Sequence, residues 1–433
     1  MNATIWERSY ENPFASLSSH FSVKKTKFNK AYMSLELPQE IISEILTRLS
    51  VKPLLRFRCV SKSWCATIDS PDFISRHVKR SIETTTNHQL ILEEWDFETR
   101  GYQSNLYSAS IDERLDIFLK GLSKPLMHQS EDLFSNSCNG LIFLYNAYEA
   151  VALWNPFTRR CRKIPAEPFK TPSAKLVTPD WLSAFGFGYD SLHDDYRVVR
   201  ILRFDPKDCW QAHEVSVYSL RTNTWRSVQG FPLVGYIFLS AYSEFASGAS
   251  HWLVYKPISD LDEKDRYVIA AFDFVKEEFY ELPLPKYTEE FEQDFLIVLQ
   301  GCLCVLSCNY AQDATQVTLY MMKQYGLRDS WDKLYIFKQG DLPYEFEHAM
   351  PLIYSQRSDK LLLQVVCKEG FRSLVWYDLQ EKKSSKVDIC NKQSSFTVLV
   401  CLESLVRLGE DDHFDGAHES VSNDASSCSR NEE

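Results

Sequence analysis

Residues able to do chemistry fall into three groupings. His193-Asp194-Asp195 sets an imidazole beside two carboxylates, the types that a metal site or an acid–base pair would use. Cys302, Cys304 and Cys308 could supply a thiolate cluster, and Asp190, Asp195, Asp273 and Glu278 could supply the carboxylate pair that cleaves a glycoside. Each grouping also has a plainer reading. His and Asp are common turn residues, and the first run falls between two strand-like segments. Cys302 and Cys304 lie on one face of an apolar strand, with no CxxC or His pair to complete a metal set. Nothing in the spacing of the four carboxylates singles out a pair, and no GxSxG, P-loop, HExxH or dinucleotide fingerprint occurs. The chain is expected to act by binding, not by catalysis, with no catalytic residue, metal or cofactor.

Composition narrows what it binds. The 433 residues carry 48 Lys+Arg against 59 Asp+Glu, a net charge of -11 that a phosphate backbone would repel, so no nucleic-acid partner is expected. Residues 24–80 alone carry 12 basic and 5 acidic residues, which leaves them near +7 and the remainder near -18. No run of 18 apolar residues exists, so no membrane span is expected. Of the 12 cysteines, Cys59, Cys65, Cys138, Cys302, Cys304 and Cys401 sit inside apolar runs, as buried free thiols do. A reducing compartment, cytoplasm or nucleus, is the expectation.

Two kinds of element must position whatever does the binding. Residues 1–33 have no clear period and read as a disordered extension. Over 34–82 the pattern is helical. Leu37, Ile41, Ile42, Ile45, Leu46 and Leu49 recur at helical spacing, and Pro53 opens a second helix with Leu54, Leu55, Phe57 and Val60, followed by Trp64. Ser70-Pro71-Asp72 gives an N-cap, an N1 proline and an acidic first turn for a third. Three short helices cannot bury this much apolar surface among themselves, so part of it is expected to meet a partner.

From about residue 86 to 405 the period switches to alternation, in line with 27 Phe, 22 Tyr and 10 Trp. An apolar strand, a polar turn of about five residues and a strand opening with an aromatic recur. Taking Trp154, Tyr218, Phe272, Tyr320 and Trp376 as equivalents, the steps are 64, 54, 48 and 56 residues. A second theme, a small or polar residue with Gly turning into an apolar strand, appears at Asn139-Gly140, Ser247-Gly248 and Gln300-Gly301. A period near 50 predicts a kelch-like β-propeller. The predicted fold is thus α+β and multidomain, a three-helix module before a mainly-β propeller of five to six, and up to seven, blades. The strands at 89–110 and 396–402 would join the two ends of the chain in a closing blade. Residues 406–433 read as a disordered acidic tail.

The segment Leu37-Pro38 through Trp64, with Ser70-Pro71-Asp72-Phe73-Ile74, closely resembles an F-box. The second region is similar to the plant F-box-associated domain. The motifs that carry this are Ser137-Cys138-Asn139-Gly140-Leu141, Trp154-Asn155-Pro156-Phe157-Thr158, Phe187-Gly188-Tyr189-Asp190 with Asp194-Asp195-Tyr196-Arg197, and Met321-Met322-Lys323-Gln324-Tyr325-Gly326 with Ser330-Trp331. The resemblance implies a substrate receptor of an SCF-type cullin–RING ubiquitin ligase. Its F-box would grip the Skp-type linker subunit, and through it cullin and RING, while the propeller recruits a target protein for ubiquitylation and proteasomal degradation. Leu37, Pro38, Ile41, Ile45, Leu46, Leu49, Leu54, Leu55, Arg58, Val60 and Trp64 would form the linker-binding surface. The surplus of Arg48, Lys52, Arg56, Arg58 and Lys62 would favour an acidic partner. On the propeller, Trp181, Trp210 and Tyr236 fall in loops and are candidates for target binding. Two rival readings are a carbohydrate-binding or glycoside-cleaving propeller, and a scaffold that works outside the ligase. The first predicts an axial polar pocket lined with carboxylates.

Overall fold

The computed structural model describes residues 37–96, 103–111, 120–122, 133–145, 151–166, 183–204, 212–228, 236–256, 266–286, 293–311, 314–387, 395–409 and 413–414. The expected extension at 1–33 and most of the acidic tail lie outside them. The chain divides into two compact units, Met1–Ile42 and Ser43–Glu433.

The helical segment has four helices where three are predicted: α1 (Gln39–Leu46), α2 (Val51–Phe57), α3 (Lys62–Ile68) and α4 (Pro71–Glu83). The extra boundary is set by Ser61, whose hydroxyl caps α3 by accepting from the Trp64 N–H. Ser70 does the same for α4, accepting from the Phe73 N–H, with Pro71 next. Trp64 and Ile68 therefore sit on a helix of their own rather than at the end of the second.

Six antiparallel sheets follow among the described residues, each one blade. In chain order the first is Leu133–Cys138, Leu141–Tyr145, Val151–Asn155 and Arg160–Ile164, and the second Ser183–Asp190, Asp195–Phe204, Ala212–Ser219 and Thr224–Val228. The third has Ile237–Phe238 and Glu244–Ala246 on Ala249–Tyr255, then Tyr267–Asp273 and Glu278–Leu282. The fourth is Gln293–Leu299, Cys302–Ala311, Ala314–Met322 and Trp331–Lys338, and the fifth Phe346–Tyr354, Lys360–Cys367, Arg372–Asp378 and Ser384–Val387. The sixth joins the chain's two ends as expected: Ser395–Leu402 pairs with His88–Asp96, which leads to Gln103–Ser110 and Lys120–Leu122.

Each blade has two ends with different chemistry. At one end lie the turns between first and second and between third and fourth strands. Asn139-Gly140, Ser247-Gly248 and Gln300-Gly301 each have both residues at positive φ, the two-residue hairpin whose twist matches its strands. After the third strand a side chain caps the turn: Asn155 accepts from the Phe157 and Thr158 N–H groups, Asp273 from Val275 and Lys276, and Asp378 from Gln380 and Glu381. These turns correct the repeat by one residue in the fifth blade. Asp378 matches Asn155 and Asp273, so the equivalent of Trp154 and Phe272 is Tyr377 rather than Trp376. One residue along a strand is the opposite face, and the two rings join different core clusters.

Candidate functional site

The helices from Ser43 onward are clamped to the turn end of the propeller around the sixth and first blades. The Glu403 carboxylate, just past the sixth blade's inner strand, accepts from the Val51 N–H at 3.0 Å and from the Gln89 amide at 2.7 Å. Val78 and Ile74 of α4 pack into a core shared with Leu141, Phe143, Leu402, Val406 and Leu408. The chain therefore stays packed three residues past the expected end of the propeller. Asn155 holds that last stretch, donating to the carbonyls of Ser404 (3.1 Å) and Val406 (3.0 Å). Gly140, at φ +83, passes so close to the Leu402 carbonyl that a Cβ would sit 2.4 Å from it. Asp69 is shared by Arg58 of the α2–α3 link (2.8 Å) and Arg407 (2.9 Å). Burial raises the Asp69 pKa, but the Arg58 hydrogen bond and charge outweigh it, and the carboxyl ends below its usual range.

The eleven expected linker-binding residues divide by exposure. Leu37, Pro38, Ile41, Ile45, Arg58 and Val60 are exposed, Val60 at 59% and Ile45 at 50%. Leu49, Leu55 and Trp64 are half-buried, Trp64 edge-on to Phe57 at 5.6 Å. Leu46 and Leu54 are buried within the chain itself and offer no surface. His77 of α4 is also fully buried, its Nε2–H donating to the Leu49 carbonyl at 2.8 Å.

The opposite end of the blades carries the longer connections. Trp181 and Trp210 lie outside the described residues; the strand ends that flank them, Ile164 and Ser183, Phe204 and Ala212, belong to this end. Tyr236 is there as well. Its hydroxyl donates to Glu281 at 2.6 Å, Lys256 bonds the other carboxylate oxygen at 2.6 Å, and the Lys256 ammonium stands 5.2 Å over the Tyr236 ring. A second such group was not anticipated from sequence. Lys386 stands 4.2 Å over the Tyr344 ring, which meets Phe371 edge-on at 5.3 Å. Tyr344 and Phe371 lie on separate connections of the fifth blade, 27 positions apart, so no local motif marks them.

The candidate chemical groups resolve into structure. Asp190, fully buried, accepts from the Leu192 and His193 N–H groups, from His193 Nδ1–H at 2.6 Å and from Arg197 at 2.6 Å. Asp195 accepts from the Arg221 N–H and the Ser219 hydroxyl. Asp273 caps its turn. Burial pushes Cys304 and Cys308 up to about 12, far from a thiolate at neutral pH. No group of three or more His, Cys, Asp and Glu arranged to hold a metal occurs among the described residues. A cavity of about 400 Å³ opens where α4 meets the propeller, lined by Arg48, Arg80, Thr84, Thr86, Tyr354 and Gln356 among others, with no carboxylate in its wall. Its wall lacks the carboxylate pair that sugar cleavage would need.

His251 gives a pH dependence. It is fully buried in the third blade, Nδ1–H donating to the Glu244 carbonyl and Nε2 accepting from the Tyr325 hydroxyl at 2.6 Å. Burial pushes it down to about 4. A histidine whose folded pKa lies below its unfolded value of about 6.5 contributes stability that is complete above 6.5 and is lost as pH falls through 4. By pH 4.5 the loss is about 2–3 kcal/mol. Urea unfolding at pH 7 and 4.5 is expected to show His251→Gln with a correspondingly shallower pH dependence than wild type. Equal pH dependence in the two proteins would refute this assignment.

Among the described residues, a six-bladed propeller with helices from Ser43 onward packed on its turn end defines the class: a helical module and a β-propeller in one chain. Residues 89–408 match the F-box associated beta propeller domain and residues 34–76 the F-box domain. The chain belongs to the F-box proteins that carry this propeller. It is 31% identical over 387 residues to the F-box protein CPR1 of Arabidopsis thaliana, covering 86% of this chain and 88% of that one. It is 27% identical to the F-box protein At4g22390 (86% and 90% covered) and 28% identical to the F-box/kelch-repeat protein At3g23880 (69% and 78% covered), both of the same plant.

Proposed function

We propose that this protein is a non-catalytic substrate receptor of an SCF-type ubiquitin ligase, acting in the cytoplasm or nucleus. The observation that carries the reading is that the helices from Ser43 onward, with Ile45 and Val60 exposed, pack at one end of the propeller while aromatic and cationic groups stand at the other. The exposed apolar residues of the helical module suit a Skp-type linker subunit, with large anchors contributing about 1.5–3 kcal/mol each when buried. Through the linker the protein would join cullin and RING. The far end, with Tyr236–Lys256–Glu281 and Tyr344–Phe371–Lys386, suits a target protein, since aromatic and cationic side chains on a rigid rim are the usual anchors of an interface. Glu403, Asp69 and the shared core would hold the two ends at a fixed separation.

The test is co-purification with the Skp-type linker subunit. Wild type is expected to bind it, and the Leu37→Ala, Pro38→Ala double variant to lose most of that binding. A wild type that does not bind would overturn the reading. Alanine at Tyr236 or Tyr344 should leave linker binding alone and reduce capture of the target.

A further inference from the structure

The helical module carries more positive charge than its own residues neutralise. From Ser43 to Glu83 there are eight Lys and Arg and four Asp and Glu. Arg48 and Arg80 share Glu44, and Arg58 and Arg407 share Asp69. Lys52 and Arg56 on α2 and Lys62 at the start of α3 are exposed and have no ion-pair partner among the described residues. The result is a basic α2–α3 surface.

The chain's last described residues lead toward it. Arg407 and Leu408 touch the module through Asp69 and the core that includes Val78. His413 and Phe414 then pair antiparallel with the outer strand of the first blade, His413 opposite Cys161 and Phe414 opposite Arg160. Arg160 is the turn end of that strand, so the backbone leaves Phe414 heading off the face that carries the helices. The 19 residues that follow hold Asp415, Glu419, Asp424, Glu432 and Glu433 against one Arg. As a flexible chain they span about 24 Å, and about 60 Å at full stretch.

We propose that residues 415–433 dock on the basic α2–α3 surface formed by Lys52, Arg56, Arg58, Lys62 and Arg407. Tethering holds the tail at an effective concentration of about millimolar, enough for weak, salt-sensitive pairs to form. Because that surface is also where an acidic partner would approach, the tail competes with it; this last step rests on the linker-binding reading above, while the docking itself does not.

The test uses the full chain. A zero-length carbodiimide, which joins an ammonium to a carboxylate, is expected to link Lys52 or Lys62 to carboxylates of 415–433. These links should vanish at 0.5 M NaCl and on addition of the linker subunit. A variant with D415N, E419Q, D424N, E432Q and E433Q should bind the linker subunit about threefold to tenfold more tightly than wild type at low salt and equally at high salt. No intramolecular links would overturn the docking and leave the surface free for another protein. Links that persist under saturating linker subunit would overturn the competition. A linker subunit that binds neither protein would sink the function reading, with the links still deciding where the tail lies.

Discussion

Ile45→Asp is expected to leave the protein folded and to lower its affinity for the proposed Skp-type linker subunit by at least about 30-fold. The magnitude follows from two facts about the position. Ile45 is half exposed on α1 and stands four residues from Ile41, so both present apolar surface from one helix. Truncating an anchor at the centre of an interface costs about 2–4 kcal/mol, and a carboxylate in its place adds the penalty of burying a charge with no counter-ion. The folded chain by itself loses almost nothing, because a surface substitution away from caps and cores changes stability by about 0.5 kcal/mol or less. Val60→Asp should behave alike. Leu54→Ala is the control: Leu54 is fully buried, so it should lose about 2–5 kcal/mol of stability, and any weaker binding would come from a loosened module. Calorimetric titration with the linker subunit, beside thermal melts of the three variants, separates the cases. Full affinity in Ile45→Asp would place the docking surface elsewhere.

What the sequence made legible, and what it hid, follows from how local each signal is. The hairpin turns need glycine or a polar residue at positive φ, so Asn139-Gly140, Ser247-Gly248 and Gln300-Gly301 announced the ends of strands directly. The aromatic before a turn-capping Asx or Ser gave the period, and it failed where Trp376 and Tyr377 stand side by side, because composition cannot say which of two adjacent rings faces which sheet. The break before α3 rests on a single serine, Ser61, too local a signal to stand out among the apolar residues on either side. Helical spacing marks the apolar set on these helices but not its division: Leu46 and Leu54 turn inward and are buried, which only tertiary packing decides. The same limit applies to Tyr344 and Phe371, which the propeller brings together from separate connections. The family motifs proved to be structural. Asn155 pins the closing segment 403–408, Gly140 makes room for it, and Arg197, held by Asp190 in its own blade, fastens that blade to the next.

That last fastening carries the largest stability effect in the propeller. Arg197, on the second blade, is almost wholly buried. It bonds Asp190 at 2.6 Å within its own blade, then crosses to the third, donating to the Phe274 carbonyl at 2.9 Å and to the Glu277 carboxylate, which also receives Arg226. Burial raises the Asp190 pKa, but the His193 hydrogen bonds and the Arg197 charge more than reverse it, so Asp190 stays ionised under a nearly complete cover. Removing the guanidinium strands Asp190 and Asp195 in a site that excludes water, and breaking a buried pair on one side costs about 3–5 kcal/mol. Arg197→Leu should therefore show a urea midpoint far below wild type, with unfolding free energy reduced by about that amount. Adding Asp190→Asn removes the stranded charge while keeping most of its hydrogen bonds, so the double variant should recover about 1–3 kcal/mol of the loss. A single variant as stable as wild type would mean the two blades are held by their apolar contacts alone. If the helical module binds the linker as proposed, linker binding should be unchanged in both variants at temperatures where they remain folded. Leu192 and His193 build the turn that holds Asp190 against Arg197, donating their N–H groups and the His193 Nδ1–H to its carboxylate.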